Sequence, residues 1–336
     1  FRDDASVEHM KRIFAAGNRP MPENNLRQAM FPVGAQVIPN PLGTAPGFRL
    51  PITRDGHTAQ VIVLPGVPRE MKPMIENWVL PWIQRNRGTD KIFAVRIFQT
   101  FGISESGLDQ EVAGLIKPDE ARVAFRASFP QISLRVTVEG RPGEAEPKLE
   151  ELSKRVREKI AQWCFAEGDV SMEEAVGKLL TEKQLSVALA ESCTGGLIGH
   201  RLTNVAGSSK YFMGDFVTYS NELKAGVLGV SGATLEKFGA VSEECVREMA
   251  AGARKRAATS VGIATSGIAG PDGGTPDKPV GTVCIALDAD GTSVSRRYQM
   301  RGTRDWVKLL ASQVALDWLR RYALGLPVSE SLLFRR

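Results

Sequence analysis

Seven consecutive residues, Ala190-Glu191-Ser192-Cys193-Thr194-Gly195-Gly196, set two hydroxyls and a thiol beside two glycines. The apolar run 186–190 precedes them, and 197–202 follows with the spacing of a helix. A strand that ends at a helix N-terminus pushes one hydroxyl out of the sheet and leaves amides for an anion. Two more polar loops follow expected strands, Tyr219-Ser220-Asn221-Glu222-Leu223-Lys224 and Ser266-Gly267-Ile268-Ala269-Gly270-Pro271-Asp272-Gly273-Gly274. If those strands run parallel, all three loops meet at one sheet edge and form a pocket. A serine becomes a nucleophile only when a base takes its proton. The histidines are His9, His57 and His200, none close to these loops, so Lys224 and Tyr219 are the candidate bases for Ser192. A lysine can serve only if its environment favours the neutral amine.

Around that pair, the amides of Thr194, Gly195 and Gly196 would stabilise an oxyanion or cradle a phosphate, and Ser266 with Gly267 and Gly270 offers a second nest. Structural readings stand beside each role. Ser192 or Thr194 could cap the following helix. Tyr219 could be a half-buried strand residue, Lys224 a surface cation, and Cys193 the nucleophile instead. Glu191 reads equally as a base or as an anchor that pairs with a cation to fix the turn.

The elements that position these loops alternate from residue 171 to the C-terminus. Helix 172–183, strand 186–190, a helix from 195, strand 215–219, helices near 221–229 and 243–257, strands 260–266, 280–288 and 294–300, and helix 305–322 predict a three-layer α/β domain. In the last helix, Val307, Leu310, Val314, Ala315 and Trp318 are expected to form a core face. Residues 91–165 read as strand, helix, strand pair and long charged helix, a small α+β module. An RNA-binding reading would want a Gly-x-x-Gly loop; none is read between its elements, so a spacer is expected. Residues 5–17 read as a helix, and strand 60–64 runs through Pro65-Gly66-Val67-Pro68 into a helix reaching about residue 83, the arrangement that binds ligands at the end of a parallel strand.

At 336 residues with 43% apolar and 24% charged residues, the chain is expected to hold two or three soluble domains. No stretch reaches the roughly 18 apolar residues of a membrane span. No secretory leader pattern is visible, although the first residue is Phe1 and upstream sequence is expected. Four scattered cysteines without a Cys-x-x-Cys pair favour reduced thiols, a cytoplasmic setting and no zinc site. A net charge of +5, with no aromatic-interleaved basic stripe, gives no reason to expect nucleic acid as a partner.

The three loops, with Val217-Thr218-Tyr219-Ser220-Asn221, Gly239-Ala240-Val241-Ser242 and Lys278-Pro279-Val280-Gly281-Thr282-Val283, stand in the order and spacing of the competence/damage-inducible CinA family, which the chain resembles. Pro22-Glu23-Asn24-Asn25, Asn40-Pro41-Leu42-Gly43-Thr44-Ala45-Pro46-Gly47 and Leu64-Pro65-Gly66-Val67-Pro68 are similar to the later half of that family's N-terminal domain, itself like molybdopterin-binding proteins. The Gly-Gly-Leu-Gly-Pro-Thr loop of that domain does not occur in the sequence. The resemblance implies a multi-domain α/β protein: residues 1–88, the later part of a molybdopterin-binding-like, ADP-ribose pyrophosphatase domain; 89–167, a KH-like linker; 168–336, a three-layer amidase domain. It implies hydrolysis of nicotinamide mononucleotide to the acid and ammonia, with Ser192, Tyr219, Lys224 and Ser266 catalytic, and Thr194, Gly195, Gly196, Asn221, Gly267, Gly270 and Arg304 on the substrate. Arg304 would suit the phosphate. Thr44, Gly47, Gly66 and Glu70 are the implied ligand residues of the first domain. No metal or cofactor is implied for the amidase; a divalent metal or potassium is implied for the first domain. Nucleotides are the expected partners, with no membrane and a homodimer. Two alternatives stand: ADP-ribose pyrophosphatase as the main or a second activity, and a non-enzymatic competence-related binding protein.

Overall fold

The computed structural model describes residues 1–88 and 90–328, and divides the chain into two compact units, 1–90 and 91–336. The expected domain boundary after residue 88 adjoins Thr89, which lies outside the described residues, as do 329–336.

In the first unit α1 (Asp4–Ala16) begins where the Asp3 carboxylate accepts the Ser6 amide at 2.9 Å, a side-chain N-cap. Strands β1 (Gln36–Ile38), β2 (Gly47–Arg54) and β3 (His57–Val63) form an antiparallel sheet in that order, followed by α2 (Pro68–Met74), a π-helical turn and α3 (Leu80–Asn86). The expectation of a parallel strand before Pro65 is corrected: β3 pairs antiparallel with β2, Phe48 opposite Val63. The tight turn at Asp55-Gly56, both with positive φ, makes the hairpin.

The second unit starts with a four-stranded antiparallel sheet, order β5-β6-β4-β7, from β4 (Ile92–Thr100), β5 (Arg122–Ser128), β6 (Gln131–Gly140) and β7 (Cys164–Glu167). Helices α4 (Glu105–Val112) and α5 (Ala145–Ile160) cover one face through Leu108, Leu149, Leu152 and Val156. The short strand β7 is an addition to the expected order. A Gly-x-x-Gly does occur, correcting the expectation of none: Gly140-Arg141-Pro142-Gly143 joins β6 to α5. Its Gly143 amide is taken by the Glu146 carboxylate at 2.9 Å.

The C-terminal elements are α6 (Met172–Glu182), β8 (Val187–Glu191), α7 (Leu197–Thr203), β9 (Phe212–Val217), α8 (Asn221–Leu228), α9 (Gly232–Phe238), α10 (Glu243–Ala257), β10 (Val261–Gly267), β11 (Thr282–Ala289), β12 (Thr292–Gln299) and α11 (Arg304–Ala323). The sheet runs β12-β11-β10-β8-β9, with β9, β8 and β10 parallel and the outer hairpin antiparallel. Every residue of β8 is buried, as expected of a strand covered on both faces. One face packs Val246, Met249 and Ala250 of α10; the other packs α6, α7 and α11 through Val176, Ile198 and Leu316. The domain is therefore three-layered, with the loops after β8, β9 and β10 at one edge.

Helix α11 departs from the single core face expected of it. Its residues from Leu310 to Arg321 are buried all round. Phe101 and Phe165 of the small module join the same core, and Arg320 and Arg321 donate to the carbonyls of Gln162 and Cys164. Among the described residues, no helix is long and apolar enough to cross a membrane.

Candidate active site

Lys224 is 1% exposed, and its side chain passes under the end of β9. The chain there is bent: the Thr218 amide donates to Glu191 O and to Phe216 O, both at 3.0 Å, closing the ladder. The next two carbonyls turn toward Lys224, whose Nζ lies 2.9 Å from Thr218 O and 3.2 Å from Tyr219 O. The third neighbour of Nζ is Ser192 Oγ, at 3.2 Å. Burial lowers the Lys224 pKa below the ordinary lysine value, against smaller opposing effects of Cys245, Cys193 and Glu222, and none of its three hydrogen-bond partners is a carboxylate. The surface-cation reading fails.

Ser192 lies one residue past β8, its amide on Thr265 O at 3.0 Å, and is 8% exposed. Neither Ser192 nor Thr194 caps α7. The N-cap is Gly196, at φ 89°, which only glycine adopts readily, and it has no side chain to offer. Glu191 does the capping instead: its two oxygens accept the Gly196 and Gly199 amides, each at 2.9 Å. The open choice for Glu191 thus resolves to an anchor, on backbone amides rather than a cation.

These bonds change which amides face a ligand. Gly195 N–H is taken by Ser192 O and Gly196 N–H by Glu191, whereas Cys193 and Thr194 amides have no acceptor among the described residues. The expectation that Gly195 and Gly196 amides hold an anion is corrected accordingly. Thr194 is fully buried with its hydroxyl 2.7 Å from that of Thr265, so it contributes backbone rather than side chain. Cys193 is an unsuitable nucleophile: burial, with the Glu191 charge adding to it, pushes its thiol up to about 12.

The third loop closes onto the first. A side chain at Gly267 would stand 2.8 Å from Thr282 O and 3.1 Å from Cys193 Sγ, so only glycine lets the loops approach this closely. Ser266 is buried and donates to Ala240 O at 2.7 Å; it makes no hydrogen bond to Ser192 or Lys224. Arg304 opens α11 and bridges the loops, with Nη1 on Gly270 O at 2.8 Å and Nη2 on the Tyr219 hydroxyl at 3.3 Å. Tyr219 is two residues past β9 and 62% exposed, which corrects its placement in a strand. Asn221 is exposed at the first turn of α8, whose cap is Ser220. Sequence reasoning missed Lys308, one turn beyond Arg304 on the same face, whose amine lies 3.9 Å from where a side chain on Gly195 would begin. The i, i+4 spacing from Arg304 was the available signal.

In the first unit Glu70 accepts from Asn40 Nδ2 at 2.7 Å, and Asn40 Oδ1 takes the Leu42 and Gly43 amides. Gly47 is a packing position, tight against Val63 O and Leu64, while Gly66 meets nothing within 4 Å. A cavity of about 470 Å³ is lined by Asp3, His9, Arg12, Asn40 and Pro46 and by none of Thr44, Gly47, Gly66 or Glu70. Among the described residues no three His, Cys, Asp or Glu side chains gather that could hold a metal.

Residues 169–323 match the CinA C-terminal domain family, and residues 95–166 match the damage-inducible protein CinA KH domain family. A putative competence-damage inducible protein of Clostridium perfringens is 44% identical over 313 residues, covering 93% of this chain and 75% of that protein. The chain belongs to the CinA family. A CinA-like protein of Desulfosudis oleivorans is 43% identical over 326 residues, covering 96% of this chain and 78% of its own length. Among solved structures, a CinA superfamily protein from Klebsiella pneumoniae aligns over 46% of this chain and 96% of its own, at 34% identity and a TM-score of 0.45. The family's small module is thus named for KH domains, while its Gly-x-x-Gly turn here is closed by Glu146.

Proposed function

We propose that the C-terminal domain of this CinA-family chain is a serine amidohydrolase that deamidates nicotinamide mononucleotide. The observation that carries this reading is the buried Lys224 amine 3.2 Å from Ser192 Oγ, with its other two contacts on carbonyls. A neutral amine has two hydrogens and one lone pair. Donating both hydrogens to Thr218 O and Tyr219 O leaves the lone pair facing the serine hydroxyl, which then donates to it. Lys224 takes the proton as Ser192 Oγ attacks the carboxamide carbon. The amides of Cys193 and Thr194, at the turn after the nucleophile, are the donors for the oxyanion. Lys224 returns the proton to the leaving nitrogen, ammonia departs, and water attacks the acyl-serine with Lys224 again as base, releasing the acid.

Arg304, the N-terminal amides of α11 and Lys308 form the cationic edge that suits a phosphate monoester. Tyr219, held by Arg304 and exposed, offers a ring against a flat pyridine, and Asn221 lies close to it in sequence. Ser266 braces the third loop to the α9–α10 connection in this reading. No cofactor enters the scheme.

The test is ammonia release from nicotinamide mononucleotide by the full chain. Ser192→Ala should lose turnover by ~10⁴-fold or more with an unchanged melting temperature. Equal turnover by the variant would sink the reading.

A further inference from the structure

Beneath the Ser192 turn lies a second acidic group that the scheme above does not use. Asp215 on β9 pairs across the parallel ladder with Leu189, and Glu191 pairs with Val217. The two carboxyls therefore share one face of the sheet as diagonal neighbours. Glu191 is fully buried and both its oxygens are occupied by the Gly196 and Gly199 amides. Asp215 packs against the same helix turn: a side chain on Gly199 would begin 2.7 Å from Asp215 Oδ2. Its Oδ1 is buried without a partner among the described residues. From β8 the Glu191 carboxylate acts on Asp215, and from α7 the Gly199 backbone packs against it.

Two ionised carboxylates cannot share this position without a cation. We infer that Asp215 is a positioning residue: protonated, it donates a hydrogen bond to Glu191, and so fixes the two amides and the turn that presents Ser192. Burial first, and then the Glu191 charge, push Asp215 up to about 8, in agreement with the geometry. A proton held at one carboxyl orients a second, which orients two amides, which set the serine and the neighbouring oxyanion donors.

The sign of the linked stability follows. The folded chain keeps a proton that the unfolded chain sheds above the ordinary carboxylate range, so stability falls as pH rises toward about 8 and then levels. Asp215→Asn supplies an N–H donor at every pH, and Asp215→Ala supplies none. In thermal melts of the full chain between pH 5 and 9, the wild type should lose several degrees relative to Asp215→Asn and then run parallel to it. The amide proton resonances of Gly196 and Gly199 should be kept in Asp215→Asn and displaced in Asp215→Ala. With nicotinamide mononucleotide, Asp215→Asn should keep kcat and shift its alkaline limb upward. Asp215→Ala should lose kcat by about 10²-fold at unchanged KM. Melting curves of wild type and Asp215→Asn that stay parallel throughout, or unmoved glycine resonances in Asp215→Ala, would overturn the inference. The activity arm rests on the proposed amidase. An inactive wild type would remove that proposal, while the melts and resonances would still decide the role of Asp215.

Discussion

Arg320 and Arg321 are buried as deeply as Lys224, at 1% and 3% exposed against 1%, yet their surroundings are built on opposite lines. Each guanidinium pairs with one oxygen of Asp317, at 2.8 and 2.9 Å, and their remaining donors go to the carbonyls of Gln162, Cys164 and Pro327. Lys224 has two carbonyls, one hydroxyl and no carboxylate. Where the fold buries charge for architecture it pairs it with a carboxylate. Where it buries Lys224 it supplies groups that a neutral amine can satisfy, as the proposed base requires.

The strongest way to break that contrast is to remove one group from each region. Lys224→Met should cut turnover by about 10²–10⁴-fold with stability unchanged or raised, because a desolvated buried amine is replaced by an apolar chain of similar length. Asp317→Ala should do the reverse. Stability should fall by about 3–5 kcal/mol in denaturant titration, with turnover per folded molecule preserved. A Lys224 variant that unfolds while Asp317→Ala does not would invert the comparison.

A pH profile sharpens it. Because the Lys224 pKa is lowered, kcat/KM should climb through a midpoint below the ordinary lysine value as the amine loses its proton. A profile flat from pH 6 to 10 would mean that no group near Ser192 titrates in the reaction. A smaller effect is expected at the site's edge. Arg304→Ala should raise KM for the mononucleotide by about 10–100-fold, the worth of a charge-assisted pair, and leave KM for the phosphate-free riboside nearly unchanged. The least effect belongs to the stacked rings of Phe129 and Trp306, with centroids 4.3 Å apart at 21°. A double-mutant cycle to alanine should give a coupling of about 0.5–1.5 kcal/mol in stability.

Much of the site is legible in the amino-acid sequence, for a simple reason. Parallel strands deliver their following loops to one edge, so three polar loops after three apolar runs converge. The scarcity of histidine then points to Lys224. Other features lie beyond sequence reasoning because they depend on neighbours remote in the chain. That Glu191 holds Gly196 and Gly199 requires knowing that its side chain lies under the turn rather than over the pocket. Tyr219 reads as strand because the apolar pair Phe216-Val217 leads into it, but the bend at Thr218 places it in solvent. The expected parallel strand before Pro65 fails because local pattern specifies a strand and not the direction of its partner. The all-round burial of α11 is likewise hidden, since the core face expected of it leaves out Arg320 and Arg321, whose partners Asp317 and the Gln162 carbonyl only the fold brings beside them.

That last helix has a practical consequence. A fragment cut at residue 168 to isolate the C-terminal domain would strip Phe101 and Phe165 from its core and leave Arg320 and Arg321 without the carbonyls of Gln162 and Cys164. The piece that keeps this core intact is therefore larger than the C-terminal domain alone. Its N-terminal cut belongs ahead of β4, at the boundary between the two compact units, and a shorter fragment that loses activity would report on lost scaffolding before it reported on chemistry.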